Sequence, residues 1–367
     1  MQYQRVLSIS GVSQKTLRPQ THTAQVFAIT PPTHRQAGDT VREDHGIMCN
    51  SGILFLKAQT SIHAGTGTSV GSIDLPIQRE RHTKWPTIQG SAVKGVLREA
   101  YRLFLVQQPN SAVSTRDDAD KHDELTALFG RADGDTGYAG SISITDSRIL
   151  AFPVRSARGV FAWVTCPSVI RRLRNDYEMA GFQPPVAPIS VAESCALVSE
   201  AAAVNLALQV NRGGSSGSGA ESASQTRALI LEDVCLNAVC TNQAELQAIT
   251  NIIATAGGHS PADRLVVVSD DVFTHFVMHC TEINTRIAVD FNTKRVKGTA
   301  LFVVELLPAE TIMYSAILGA EKRGKLQDPV ATLKQALTVN HKPAIIQFGG
   351  EETTGKGWCW VNVEVKK

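Results

Sequence analysis

Near its C-terminus the chain reads I346-QFGGEETTGKGWCWVNV, and within it Gly350-EETT-Gly355-Lys356-Gly357 is one residue short of a phosphate-cradling P-loop. A P-loop closes on Ser or Thr, because that hydroxyl holds the magnesium of a nucleotide. Gly357 stands there instead. A P-loop also feeds a helix whose N-terminus faces the phosphates. Here Trp358-CWVNVEV follows, an alternating aromatic and β-branched run that reads as a strand. The expected order is therefore strand, glycine-rich turn, strand, which sets nucleotide hydrolysis aside. The backbone N–H groups and Lys356 still suit a phosphodiester. The bland alternative is a hairpin whose glycines only supply positive φ.

Other side chains carry chemistry by type and spacing. His63, in H63-AG, is of the residue type that most often serves as a general base. A histidine just after a strand also commonly hydrogen-bonds neighbouring backbone. Asp74 lies in V70-GSIDLPIQRE, between a glycine-bearing turn and a proline, where aspartates usually stabilise turns. Lys94 and Arg98 are four apart and share a helix face. Ser91, read as the N-cap, and the amides behind it make an anion site; a solvated polar face is the plainer reading. Arg155 and Arg158 flank a turn, and Arg171, Arg172 and Arg174 ride the next helix. Arg286, Lys294, Arg295 and Lys297 crowd a later hairpin, where charge also guards an edge against stray pairing.

The totals constrain where such sites can lie. With 36 basic and 34 acidic residues in 367, the molecule is no bulk polycation, so a polyanion site needs local segregation of charge. Between Asp146 and Asp176 there are six arginines (148, 155, 158, 171, 172, 174) and no acid, whereas acids crowd from Asp117 to Asp135. Apolar residues make up 43%, enough for a core. The seven cysteines are scattered without a Cys-x2-Cys pair, which indicates neither a zinc site nor a disulfide framework. No signal peptide and no long apolar run is evident, so a cytoplasmic protein without a membrane partner is expected.

The elements that position these residues follow from periodicity. Residues 1–47 are polar and aperiodic and read as a flexible N-terminal extension, with Met48 just ahead of the first strand, Gly52–Thr60. A long loop covers residues 63–86, and a helix opens at Gly90 with Val93, Val96, Leu97, Ala100 and Phe104 as its apolar stripe. Residues 141–154 and 159–167 alternate as strands, and a basic amphipathic helix starts at Ser168. Residues 175–270 look like a less regular insertion, with a Gly/Ser-rich stretch at 211–226. Residues 286–306 read as a hairpin turning near Asn292–Thr293, and a short helix at Gln327–Val339 precedes the closing strands. Irregular alternation with hairpins points to an α+β fold with an antiparallel sheet.

Several segments in this order resemble the RAMP superfamily, and within it the backbone subunits of type III-B (Cmr) CRISPR effector complexes. They are H63-AG…VGSIDLPIQRERHT, GSAVKGVLR, LFG…GSISITDSRILAFPVRSARGVFAWVTCP, TRIAVD…GTALFVVELLP and the terminal GGEETTGKG. The likeness runs from about residue 50 to residue 363. It implies a ferredoxin-like, RRM-type palm with inserted finger and thumb regions, residues 48–367 forming one RAMP domain. It further implies stacking of copies into a filament along a crRNA, together with other Cmr-type subunits. Guide pairing would select the target RNA, while the protein reads backbone and shape.

On this resemblance Asp74 is the RNA-cleaving aspartate. A carboxylate beside a scissile phosphate can hold Mg2+ or Mn2+, or accept the proton of the attacking hydroxyl. With the ribose 2′-OH as nucleophile the products would be a 2′,3′-cyclic phosphate and a 5′-OH. His63 and His82 are candidate catalytic or positioning residues, and His82 with Arg81 could meet target phosphate. The expected RNA contacts are Ser91, Lys94, Arg98, Arg155, Arg158, Arg171, Arg286, Lys294, Gly350, Gly355 and Lys356. The basic hairpin is a candidate thumb prying guide from target. Two rivals share these features: a catalytically silent RNA-binding subunit, and a stand-alone guide-processing endoribonuclease.

Overall fold

The computed structural model describes residues 50–108, 113–131, 137–210, 226–241, 244–257, 261–320, 326–339 and 342–365. The expected N-terminal extension and the Gly/Ser-rich residues 211–225 lie outside these. The first part of the chain holds β1 (Gly52–Ala58), β2 (Thr87–Ile88), α1 (Gly90–Gln107), α2 (Arg116–Asp120), α3 (Asp123–Phe129), β3 (Gly130–Arg131) and β4 (Tyr138–Ala139). Then come β5 (Ile142–Ile144), β6 (Ser147–Arg155), β7 (Phe161–Thr165), α4 (Pro167–Met179), β8 (Cys195–Val198), α5 (Glu200–Leu206), β9 (Leu208–Val210) and β10 (Thr226–Leu231). Next are β11 (Val234–Cys240), α6 (Ala244–Gly257), β12 (Leu265–Val267), α7 (Asp270–His279), β13 (Glu282–Val289) and β14 (Val296–Leu306). The chain closes with β15 (Ile312–Gly319), α8 (Pro329–Ala336), β16 (Thr338–Val339), β17 (Lys342–Gln347) and β18 (Trp358–Val365).

One 14-stranded sheet runs in the order β16-β17-β18-β1-β15-β6-β7-β12-β8-β11-β10-β9, with β2 added beside β6 and β5 beside β15. Its pairings are mostly antiparallel; β7–β12 and β8–β11 are parallel. The architecture is mixed α and β on this sheet. Strand β1 explains its centre: GILFLKA is buried at every position, between β15 and β18. Fully burying each Leu, Ile or Phe there contributes roughly 1.5–3 kcal/mol. Lys57, in the same strand, is tolerated because its ammonium pairs with Glu310 at 3.1 Å and lies 5.5 and 5.6 Å from the Trp163 and Trp360 rings.

Three sequence expectations change. The apolar stripe of α1 is Val93, Leu97, Tyr101 and Leu105, while Val96, Ala100 and Phe104 are only partly buried. Helices α2 and α3 fold back over α1, so Tyr101 meets Phe129 at 6.1 Å between ring centroids and donates to Glu124 at 2.9 Å. Ser91 is not the N-cap: α1 begins at Gly90, behind Gln89, and Ser91 sits exposed in the first turn. Asp146 Oδ1 accepts from the Gly90 amide at 2.8 Å, so a distant carboxylate already serves that helix end. Finally, the stretch read as a less regular insertion contains β8–β12, α5 and α6, and its strands extend the main sheet. Strands of three to seven residues with mixed parallel and antiparallel pairing carry little period-two alternation.

The hairpin forms as expected. Strands β13 and β14 make a separate two-stranded sheet. Its turn is built on Asp290, whose Oδ1 accepts from the Thr293 amide at 2.8 Å and the Asn292 amide at 3.0 Å. These bonds hold the Asp290 carboxyl below its ordinary pKa.

Candidate functional site

The loop at 63–86 is braced along its length. Gly65 bridges Ile77, Thr66 N donates to Pro76 O at 3.1 Å, and Ser69 N donates to Asp74 O at 2.8 Å. At its far end Leu75 bridges Val304 in β14. Asp74 is fixed there twice: its Oδ2 accepts from Val303 N at 2.7 Å and its own amide donates to Val303 O at 3.1 Å. The turn-stabilising reading of Asp74 is thus met by one oxygen. Oδ1 takes no hydrogen bond among the described residues and is left for other work.

His63 hangs from the same strand. Its Nδ1 lies 2.8 Å from Glu305 O, a carbonyl that can only accept, so Nδ1 carries a hydrogen and the neutral ring has its lone pair on Nε2. Val303 and Glu305 are two residues apart on β14, roughly 7 Å along the strand, and one holds Asp74 while the other holds His63. The Glu305 side chain, 3% exposed, is a hub: Arg79 Nη2 donates at 2.5 Å, Thr281 Oγ1 at 2.9 Å and Ile77 N at 3.1 Å. Arg79 also donates to Lys84 O and Val277 O, tying the loop to α7.

The glycine-rich loop stands beside His63, whose carbonyl accepts from Gly350 N at 2.8 Å. It joins β17 to β18 through the short 3-10 turn Glu352–Thr354, giving the strand–loop–strand order that rules out a P-loop. Gly355 and Gly357 have φ of 77° and 83°. A cleft of about 310 Å³ opens between this loop and α1, lined in part by His63, Gln78, Ala92, Val96, Gly349 and Gly350. Lys356 Nζ lies 3.4 Å from Ser61 Oγ, and Arg286 Nη2 lies 2.5 Å from Glu351 Oε2.

The remaining cations are dispersed. Lys94 donates to Ile142 O at 2.9 Å; burial, then Arg98, pushes its pKa down. Arg98 donates to Gly130 O at 3.1 Å and pairs with Asp120 at 3.4 Å. Arg155 is 76% exposed and pairs with Glu232 at 3.1 Å; Arg158 donates to Ala207 O. Arg171 reaches Ser168 Oγ, and Arg174 donates to Val186 O. Arg172 pairs with Glu80 at 2.9 Å, sits 4.6 Å from the Trp85 ring and lies 3.2 Å from His82 Nε2. The acid-free run of arginines therefore meets acids brought in from Glu80 and Glu232, and Arg148 meets Asp176 at 3.0 Å. His82 and Arg81 are exposed. At the hairpin tip Lys294 Nζ lies 4.2 Å from the Phe291 ring, and Arg295 and Lys297 are exposed.

His63 thus bonds both to β14, which also holds Asp74, and to Gly350 of the glycine-rich loop, whereas Lys94, Arg98 and the α4 arginines make their bonds elsewhere. Among the described residues no group of three or more His, Cys, Asp or Glu is arranged to hold a metal ion. Asp74 could offer one oxygen, which suffices only for an ion that keeps its waters and takes its other ligands from phosphate. Sequence reading missed Glu305, Arg79 and Glu351. The signal for Glu305 was a lone acid within LFVVELLP, an apolar strand that would not carry a charge without a buried partner.

Residues 55–360 match the model of the RAMP superfamily. The chain is 33% identical over 320 residues to the CRISPR system Cmr endoribonuclease Cmr4 of Pyrococcus furiosus, covering 85% of this chain and 95% of that protein. It superposes on the crystal structure of oligomeric Cmr4 from Pyrococcus furiosus with a TM-score of 0.60 at 26% identity, covering 87% of this chain and 99% of that one. A chain of the type III-B Cmr-beta complex bound to cognate target RNA matches with a TM-score of 0.59 at 21% identity, over 86% and 98% of the two chains, a likeness of fold.

Proposed function

This chain belongs to the RAMP superfamily, and from that premise we propose that it is a crRNA-binding backbone subunit of a cytoplasmic type III-B (Cmr) CRISPR effector that cleaves bound target RNA. The relative named as an endoribonuclease and the relative crystallised as an oligomer support cleavage and stacking of copies, respectively. The observation that carries the reading is the arrangement of Asp74: one carboxylate oxygen is anchored on Val303 and the other is unengaged, beside a strand that also holds His63.

The division of labour follows from that geometry. Target RNA would lie across the hairpin base, with the Asp74 Oδ1 side facing a phosphodiester. Asp74 would accept the proton of the attacking 2′-OH or contribute one oxygen to a Mg2+ or Mn2+ ion. Such an ion, when bound, would stabilise charge on the phosphate. His63, held in the Nδ1–H form, presents Nε2 as an acceptor that can orient a ribose hydroxyl. Gly349–Gly357 and Lys356 would run along guide backbone, where close approach needs residues without side chains.

A second reading has its own observation. The Asp74–Val303 bond is what a purely structural aspartate would make, and it suits a catalytically silent RNA-binding subunit. Asp74→Ala and Asp74→Asn in the reconstituted complex separate the two, since asparagine still offers an oxygen to Val303 N. Loss of cutting in both, with target binding retained, supports the enzyme; cutting by the Asp74→Asn complex at the wild-type rate rejects it.

A further inference from the structure

Two cations link the glycine-rich loop to the hairpin side of the molecule, Arg286 directly to an acid and Lys356 through a hydroxyl. Arg286, on β13, meets Glu351 of the loop at 2.5 Å, with side-chain exposures of 25% and 15%. Lys356 of the loop reaches Ser61 Oγ, which donates to Glu282 Oε2 at 2.6 Å, four residues before Arg286 on β13. Loop and hairpin are therefore joined directly by one ion pair and indirectly through the Ser61 hydroxyl. Glu351 also holds a left-handed backbone, φ 66°, which costs a non-glycine residue on the order of 1 kcal/mol. The loop accepts that cost and places a carboxylate on the Arg286 guanidinium.

We propose that Glu351 is a phosphate surrogate: in the RNA-free chain its carboxylate occupies Arg286, and RNA binding exchanges it for a backbone phosphate. A carboxylate and a phosphate present the same kind of oxygen acceptors to a guanidinium, so the exchange conserves Arg286's hydrogen bonding. It also unties one of the two links between hairpin and loop as RNA arrives, so that loading and hairpin release are coupled. Glu351 thereby sets RNA affinity and discourages other polyanions that cannot offset the lost pair. This rests on the RNA-binding reading above.

The test is titration of the full-length chain with a fluorescently labelled oligouridylate across a range of salt. Glu351→Gln frees Arg286 and should bind roughly tenfold tighter, the effect of one charged hydrogen bond. Because Arg286 ends on a phosphate in both proteins, the variant's log Kd against log salt should keep the wild-type slope, differing by less than the roughly 0.7 of one single-strand phosphate contact. Glu351→Gly removes the carboxylate and relieves the left-handed backbone, so it should gain the same affinity in a protein at least as heat-stable as wild type. Arg286→Gln/Glu351→Gln should show no gain over Arg286→Gln. If wild type binds and both Glu351 variants bind equally or more weakly, the surrogate role is overturned and RNA binding stands. If no variant binds RNA, both fall.

Discussion

Asp74 and Val303 hold each other in both directions, side-chain oxygen to amide at 2.7 Å and amide to carbonyl at 3.1 Å. The second bond is main-chain only and survives any substitution except proline. The first depends on an oxygen at the end of a short side chain. A single carboxyl group therefore carries a structural bond and, on the proposed reading, the reactive oxygen.

This divides the consequences of substitution. Asp74→Ala leaves the Val303 amide unpaired and should cost about 1 kcal/mol in urea denaturation, whereas Asp74→Asn should stay within about 0.5 kcal/mol of wild type. Target cleavage, measured on a labelled RNA in the assembled complex, should fall by about 10²-fold or more in both.

Glu305 tests the hub. Removing it leaves the largely buried Arg79 guanidinium without its counter-charge. Glu305→Ala should destabilise the chain by roughly 3 kcal/mol, seen as a lowered denaturation midpoint. The bond from His63 to the Glu305 carbonyl is main-chain and should persist, visible as an unchanged His63 tautomer by NMR.

The glycine-rich loop allows fold and the proposed RNA loading to be tested separately. A Cβ at Gly357 would press on the Phe348 carbonyl, whereas one at Gly355 meets nothing within 4 Å. Gly357→Val should therefore be poorly folded. Gly355→Val should lose on the order of 1–3 kcal/mol to its left-handed backbone, keep its circular dichroism, and fail to load guide RNA in a filter-binding assay. ATP should not bind to either protein or to wild type.

Acid should loosen the join between α4 and α7. Burial disfavours the charged Asp270, but the Ser168 hydroxyl and amide outweigh it, so its carboxyl titrates below the usual range. A depressed folded pKa means stability that is full above the unfolded value, near 3.9, and is lost as pH falls through the lower folded value. Thermal melts of Asp270→Asn should show less destabilisation between about pH 5 and pH 3 than wild type.

Local pattern carried most of the fold. The unbroken apolar run of β1, the Gly90 helix, the basic helix α4, the 286–306 hairpin and the closing strand–loop–strand were all legible, because each is encoded by neighbours a few residues apart. Residue type and spacing alone allowed a turn aspartate at Asp74, a backbone-bonded His63 and a plain glycine hairpin; it was the family resemblance that made them candidate elements of a site. What local pattern could not supply was the partner of each charge. The arginines of 148–174 looked like a free basic patch because their acids lie far along the chain: Glu80 is 92 residues from Arg172. Asp146 took the helix end assigned to Ser91, and Glu305, 226 residues from Arg79, became the hub of the loop. Periodicity specifies which face of an element is buried, but a salt bridge forms between whichever groups the folded chain brings within a few ångströms. The sequence alone determined the elements and the candidate chemistry; the tertiary structure decided which charges are paired with one another.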